Sequence, residues 1–222
     1  MRHFEQELEQ LRTTIIRMAS LVDEQIDAGV RAILEPDVDL ARRVIERDQD
    51  VDAFDNDIDH LCMRMFALTQ PVAIDLRLLM AALKINNELE RIGDIAVNLA
   101  ERVEPLARHA AFVKKTRISE MANAARTMVK HAIDAFVNSD ANLARAILEE
   151  DDRIDSLDAE NFRKMIEAMQ ESPEHILPAS HVMMVSRHIE RMADHATNIA
   201  EDVIFIINAR IIKHHAEEHK KP

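Results

Sequence analysis

Hydrophobic residues recur every three or four positions along most of this chain, which is the spacing of one face of an α-helix. The first such seam consists of Phe4, Leu8, Leu11, Ile15, Met18, Val22 and Ile26. Similar seams, separated by prolines and polar turns, predict six helices over about residues 4–34, 37–68, 72–104, 116–137, 141–170 and 179–213. We therefore predict an all-α fold in which long helices with short links pack as antiparallel neighbours.

The third and sixth predicted helices carry the same pattern 100 residues apart. The string Glu-Arg-x-x-Asp-x-x-x-Asn-x-x-Glu begins at Glu90 and again at Glu190. Weaker matches upstream, at offsets of 103 and 107 residues, keep the same order. An internal repeat of this kind is typical of two copies of one supersecondary unit. We predict two tandem, pseudo-symmetric three-helix bundles, in residues 1–108 and 109–222.

Composition excludes several classes of protein. With 2 Gly and 6 Pro in 222 residues, the chain has too few turn residues for a strand-rich fold and too few glycines for a Gly-rich nucleotide-binding loop. A net charge of −13 gives no indication of a nucleic-acid-binding face. The single Cys62 excludes an intrachain disulfide and a cysteine-based zinc cage. Without a signal peptide or a long apolar run, we expect a cytoplasmic protein that does not insert into a membrane.

Acidic residues form stripes on four of the predicted helices. On each of these helices two acidic residues four positions apart share one face. The four pairs are Asp48 and Asp52, Glu90 and Asp94, Asp151 and Asp155, and Glu190 and Asp194. Stacked like charges cost roughly 0.2–0.5 kcal/mol per pair, so a face that needed only solubility would intersperse lysines. A single stripe is explained as a solvated face. Four stripes at matching repeat positions favour oxygen ligands for Mg²⁺, Ca²⁺, Mn²⁺ or iron.

With these two strings and their partner stripes, the chain resembles the PhoU family of phosphate-transport accessory proteins, over about residues 4–211. The resemblance implies two three-helix repeats that bind metal ions, or a multinuclear iron cluster, on the bundle surface. It implies eight metal ligands: Asp48, Asp52, Glu90 and Asp94 in the first half, and Asp151, Asp155, Glu190 and Asp194 in the second. The metal is left open among iron, zinc, manganese, magnesium and calcium.

The two halves differ close to these motifs. Gly93 in the first half stands where the second has Ala193, and Ile95 stands where the second has His195. We interpret His195 as a surface or hydrogen-bonding residue, with metal ligation as the alternative. Gly29, inside the first predicted helix, indicates either a close approach of another helix or a local weakness.

Three functions from different classes compete for a helical, carboxylate-rich chain of this kind. The family resemblance implies a homodimeric negative regulator of phosphate uptake and phosphate-starvation signalling. Its partners would be the ATPase subunit of the phosphate ABC transporter and a membrane sensor histidine kinase. A ferritin-like di-iron enzyme needs Glu-x-x-His on two helices, and no glutamate here has a histidine three residues later. No nucleophile–base pair can be singled out, so we expect a protein that is not an enzyme. The remaining alternative is a metal-free helical scaffold or adaptor.

Overall fold

A computed structural model describes residues 2–69, 71–72 and 74–208, and every regular element in these ranges is a helix. The helices are α1 (Arg2–Leu34), α2 (Val38–Glu46), α3 (Asp48–Thr69), α4 (Ile74–Glu101), α5 (Val103–Leu106), α6 (Ala110–Lys114), α7 (Ile118–Asn138), α8 (Ala141–Glu171) and α9 (Ile176–Asn208). Short 3-10 turns occupy Ala107–His109 and Pro173–His175. Six of the described helices exceed twenty residues, so the predicted all-α class is confirmed.

The prediction of one continuous second helix was wrong. It begins as expected at Asp37, whose side chain accepts a hydrogen bond from the Leu40 backbone N–H at 2.9 Å. It is then interrupted at Arg47, which separates α2 from α3. At the break, the Arg47 carbonyl accepts a hydrogen bond from Nε2 of Gln25 on α1 at 3.0 Å. A side chain of another helix thus bonds to the backbone where the helix is interrupted. No glycine or proline marks this position in the sequence.

The third predicted helix ends, and the sixth begins, at a different residue from the one expected. The third stops at Glu101, and Pro105 lies inside the separate turn α5 and does not end the long helix. The sixth begins at Ile176, with Pro178 in its first turn, where a missing N–H is tolerated. Its predicted continuation to residue 213 lies outside the described residues beyond 208. The predicted division between residues 108 and 109 falls in the 3-10 turn between α5 and α6 and stays a prediction.

The long helices form two bundles that bury the predicted seams. In the first half α1 packs against α3 and α4, with α2 laid on α1 and α4; in the second half α7, α8 and α9 pack against one another. The hydrophobic side chains on these faces are withdrawn from water, which is the main stabilising term for such bundles. Fully buried examples are Ile15, Met18, Ile58, Leu89 and Ile92 in the first half, and Met121, Ala125, Ile154, Ile189 and Met192 in the second.

The halves join where α1 packs on α7 and α4 packs on α9. Along α4 and α9, Lys84 pairs with Asp202, while Arg102 Nη1 lies 3.8 Å from Met184 Sδ. These contacts show that α4 and α9 run antiparallel. Moving each residue by the repeat offset of 100 converts the first contact into the second. The two halves are therefore related by a pseudo-twofold axis that passes between α4 and α9. No helix in residues 2–69 or 74–208 is both long and apolar enough to cross a membrane.

Both glycines lie where another helix comes close. A Cβ on Gly29 would lie 3.2 Å from the backbone oxygen of Ala96 on α4, so the close approach predicted at this position is confirmed. A Cβ on Gly93 would lie 3.2 Å from Cγ1 of Val51 on α3. The first contact is with backbone and the second with a side chain, which can move more easily.

Candidate metal centre

In the first half, α3 and α4 bring their acidic stripes to a common surface. The seam residues of both helices are buried, and this turns the carboxylates toward the edge of the contact between the two helices. Burial raises the pKa of Asp48, and the neighbouring charges of Asp52 and Asp94 raise it further. Because Asp94 belongs to the other helix, its influence on Asp48 shows that the two stripes are close in space.

Glu90 completes this group. Its pKa is raised by burial first and by Asp94 next, then by Asp55 and Asp52 across the helix contact, against a lowering effect of Arg91. The structure thus brings together the four residues that the sequence predicted in the first half. We define this group, with Asp55, as the first acidic patch. The Nδ2 of Asn86 on α4 donates to Asp55 Oδ1 at 2.7 Å, which orients that carboxylate.

In the second half, α8 and α9 repeat the arrangement with greater burial at one residue. Burial raises the pKa of Glu190 to about 7, aided by Asp194, Asp158 and Asp155 and opposed by Arg187. Burial also raises the pKa of Asp194, to which Asp155 adds, while the cationic Arg187 lowers it. Glu190 and Asp194 of α9 are therefore close to the aspartates of α8.

Asp151 lies one turn before Asp155 on α8 and is half-buried. We define the second acidic patch as Asp151, Asp155, Asp158, Glu190 and Asp194. Asp158 and its counterpart Asp55 were not among the predicted ligands. The signal was present in the sequence, because each continues its acidic stripe by one further helical step of three residues.

One carboxylate oxygen of Glu190 has no protein partner. Arg187 Nη1 lies 2.6 Å from Glu190 Oε1, and the other oxygen, Oε2, is buried without a hydrogen bond in the described part of the chain. This ion pair alone would lower the pKa of Glu190. Burial outweighs it because the Arg187 side chain is 63% exposed, so that water screens its charge, whereas that of Glu190 is 10% exposed. A buried carboxylate oxygen without a partner suits either a proton or a cation.

The chemistry of both patches fits a hard or borderline cation. Their donors are aspartate and glutamate oxygens, which Mg²⁺, Ca²⁺, Mn²⁺ and iron accept as ligands. Within the described residues, however, no three histidine, cysteine, aspartate or glutamate side chains already lie close enough to hold one ion. Mutual repulsion among the carboxylates opposes such an arrangement. To hold one ion, the side chains of a patch would have to move closer together than they are.

His195 contacts the other half of the chain. Its Nδ1 lies 2.6 Å from Oε2 of Glu88 on α4, and the same oxygen accepts a hydrogen bond from Asn198 Nδ2 at 3.1 Å. This contact supports the hydrogen-bonding interpretation of His195. Glu88 could not be predicted as its partner, because the two residues are more than a hundred positions apart in the chain.

The chain is similar to proteins of one known family along most of its length. The PhoU domain matches this chain twice, at residues 15–103 and 118–203. The phosphate-specific transport system accessory protein PhoU homolog of Aquifex aeolicus is 39% identical over 94% of both chains. The homolog of the same name from Pseudomonas putida is 34% identical, over 95% of this chain and 83% of its own.

Solved structures agree with these relatives. The crystal structure of PhoU from Pseudomonas aeruginosa has a TM-score of 0.87 at 33% identity, covering 93% of this chain and all of that one. The phosphate transport system regulatory protein PhoU from Streptococcus pneumoniae also has a TM-score of 0.87, at 24% identity, and shows the same fold. With two domain matches and similarity along nearly its whole length, the chain belongs to the PhoU family.

Proposed function

We propose that this chain is a cytoplasmic, metal-binding negative regulator of phosphate uptake and phosphate-starvation signalling. The observation that carries the proposal is the similarity, over 94% of both chains, to a relative named as an accessory protein of the phosphate-specific transport system. The partners proposed are the ATPase subunit of the phosphate ABC transporter and a membrane sensor histidine kinase. The active form proposed is a homodimer, and its action is binding without catalysis.

Metal binding is proposed at the two acidic patches. Asp48, Asp52, Glu90 and Asp94 would hold the first ion or cluster; Asp151, Asp155, Glu190 and Asp194 would hold the second. Raised carboxyl pKa values at both patches support this assignment, because crowded and partly buried carboxylates are stabilised by a neighbouring cation. The buried and unpartnered Oε2 of Glu190 supports it further.

The regulatory action follows from electrostatics. A bound cation would cancel the repulsion within each patch and tie α3 to α4, or α8 to α9. It would also change the charge that these helices present to a partner protein, because several carboxylates would become neutralised together. Loading with metal would in this way stabilise one bundle surface and prepare it for docking.

A metal-free scaffold or adaptor remains the second candidate function. The observation that favours it is the absence, among the described residues, of any three side chains already arranged around one ion site. Elemental analysis of untagged protein, purified without immobilised-metal chromatography, separates the two candidates. Stoichiometric metal that is lost in Glu90→Gln/Asp94→Asn/Glu190→Gln/Asp194→Asn supports the metal-binding form. Protein that contains no metal, and whose stability is unchanged by chelators and by added divalent ions, supports the scaffold.

The regulatory role is tested in cells. Deleting the gene should leave a starvation-induced phosphatase reporter active in high phosphate, and the wild-type gene should restore repression. The quadruple variant should restore it poorly, while Asp152→Asn, which changes an exposed acidic residue outside the proposed ligand set, should act like wild type. Normal repression in the deletion strain would contradict the regulatory role. Full restoration by the quadruple variant would contradict the metal's part in it.

A further inference from the structure

A cluster of arginines lies where α1, α2 and α7 meet. A cavity of about 310 Å³ opens between α1, α2 and α7. Its lining includes four arginines and two acids: Arg31, Arg43, Arg47, Arg126, Glu24 and Asp27. Such a local excess of positive charge is unexpected in a chain whose net charge is −13. The cavity also spans the two halves, because Arg126 belongs to α7 and the other lining residues to the first half.

Three of these arginines are held in place by acids. Arg47 Nη2 lies 3.2 Å from Glu24 Oε2, and Arg31 Nε lies 3.3 Å from Asp27 Oδ2. Arg126 pairs with both Asp23 and Asp27, and these hydrogen bonds raise its guanidinium pKa. The pairs orient the guanidinium groups and leave further N–H donors on each of them, since guanidinium carries five.

Arg43 differs from the other three. Its side chain makes no hydrogen bond or ion pair with any residue in the described part of the chain, although it lines the same cavity. It lies in the last turn of α2, where the helix dipole favours a cation. Arg43 therefore supplies a charge that the protein itself does not neutralise.

The break between α2 and α3 shapes this cavity. Gln25, which is 1% exposed and lines the cavity, donates from Nε2 to the Arg47 carbonyl at the break. This bond fixes which end of the amide is the oxygen, because a carbonyl must receive a donor. The oxygen, Oε1, is buried and has no partner in the described residues. An acceptor thus accompanies the arginine donors.

We propose that the arginine cavity binds one tetrahedral oxyanion, inorganic phosphate in its hydrogen-phosphate form. Its unprotonated oxygens accept from the guanidinium groups, as in other arginine–phosphate pairs, and its O–H donates to Gln25 Oε1 after a small adjustment of that side chain. The choice of phosphate among oxyanions rests on the proposed function. Because α7 contributes Arg126, an ion in this cavity stabilises the contact between the two halves.

Isothermal titration calorimetry of the full chain tests this site. Protein stripped of metal with a chelator is titrated with inorganic phosphate at constant ionic strength, with sulfate as the comparison. We expect saturable binding of one phosphate per chain and weaker binding of sulfate, which has no O–H to donate at neutral pH. Arg43→Gln should weaken phosphate binding about tenfold or more, since it removes a charge-assisted donor pair. Arg42→Gln is the matched control, because this neighbour pairs with Asp39 and does not line the cavity.

Several results would overturn the site. They are the absence of saturable phosphate binding, equal weakening in Arg42→Gln and Arg43→Gln, equal binding of sulfate, or binding that requires restored metal, which would locate the ion at an acidic patch. Circular dichroism melting shows whether Arg43→Gln stays folded; if it does not, Arg43→Lys, which keeps the charge but loses the planar fork, takes its place. Binding by wild type combined with normal repression in the deletion strain would uphold the site and contradict the proposed function.

Discussion

His195 Nδ1 lies 2.6 Å from Glu88 Oε2, in a contact that joins the second half of the chain to the first. Both side chains are mostly buried, at 13% and 18% exposure. The pseudo-twofold axis maps this pair onto His188 and Ile95, which cannot make the same bond. The interface between the halves is therefore symmetric in its helices and asymmetric in its polar chemistry.

His195→Ala should destabilise the protein by about 1–3 kcal/mol, because it leaves the largely buried Glu88 without its closest partner. The control is His131→Ala, which truncates an exposed histidine on α7 and should change stability by less than about 0.5 kcal/mol. Urea denaturation followed by circular dichroism measures both. Equal losses in the two variants would show that the contact contributes nothing specific.

The pH dependence of the metal-free protein should depend on Glu190. Its pKa is about 7 in the folded protein against an ordinary value of 4.5. Below pH 4.5 the carboxyl is protonated in both the folded and the unfolded state, so the stabilisation that this group contributes is fully present. As the pH rises toward 7 the unfolded chain loses its proton first, and up to about 3 kcal/mol of stability is lost. Glu190→Gln should remove this loss between pH 4.5 and 7. A pH profile of Glu190→Gln parallel to that of wild type would contradict the assignment.

Divalent cations should bind more tightly as the pH rises through 7, because the metal competes with the proton on Glu190. The competition is measured by titrating the protein with Mn²⁺ at pH 6 and at pH 8 and recording the melting temperature at each concentration. Asp194→Asn should reduce the stabilisation by Mn²⁺, whereas Asp152→Asn, at an exposed position on the same bundle, should leave it unchanged. Stabilisation that is the same in both variants would locate the ion elsewhere.

Adding a methyl group should be more harmful at Gly29 than at Gly93. The new Cβ of Gly29→Ala meets the Ala96 backbone oxygen at 3.2 Å, which can move only if α1 and α4 separate. The Cβ of Gly93→Ala meets the Val51 side chain at the same distance, and the better helix propensity of alanine offsets part of the cost. Thermal melting of the two variants should show the larger decrease for Gly29→Ala. The reverse order would contradict the close backbone contact.

The helical class and the acidic pairs were predictable because they depend on local spacing. Glu90 and Asp94 share a helix face whatever the rest of the fold does, and the repeat of their motif at Glu190 indicated the second bundle. The break at Arg47 was not predictable, since it depends on a hydrogen bond from Gln25 on another helix. The hydrophobic seam also continues through the break, from Val44 to Val51.

Contacts between the two halves could not be predicted from the sequence. Lys84 and Asp202 are 118 positions apart, and no local pattern relates them. The same holds for the arginine cavity, where Arg126 joins residues of the first half. Repeats predict that two units exist, but the side chains at their interface depend on how the units are placed against each other.

The antiparallel pairing of α4 with α9 has the geometry expected if a half-length ancestor once assembled as a symmetric pair and its gene was later duplicated and fused. In such an ancestor every substitution at the interface would appear twice. In the fused chain each appears once, so Lys84 and Asp202 can form an ion pair while the equivalent positions hold Met184 and Arg102. Fusion thus lets the two halves evolve unlike chemistry, including a more strongly buried glutamate in only one of them, without a second gene.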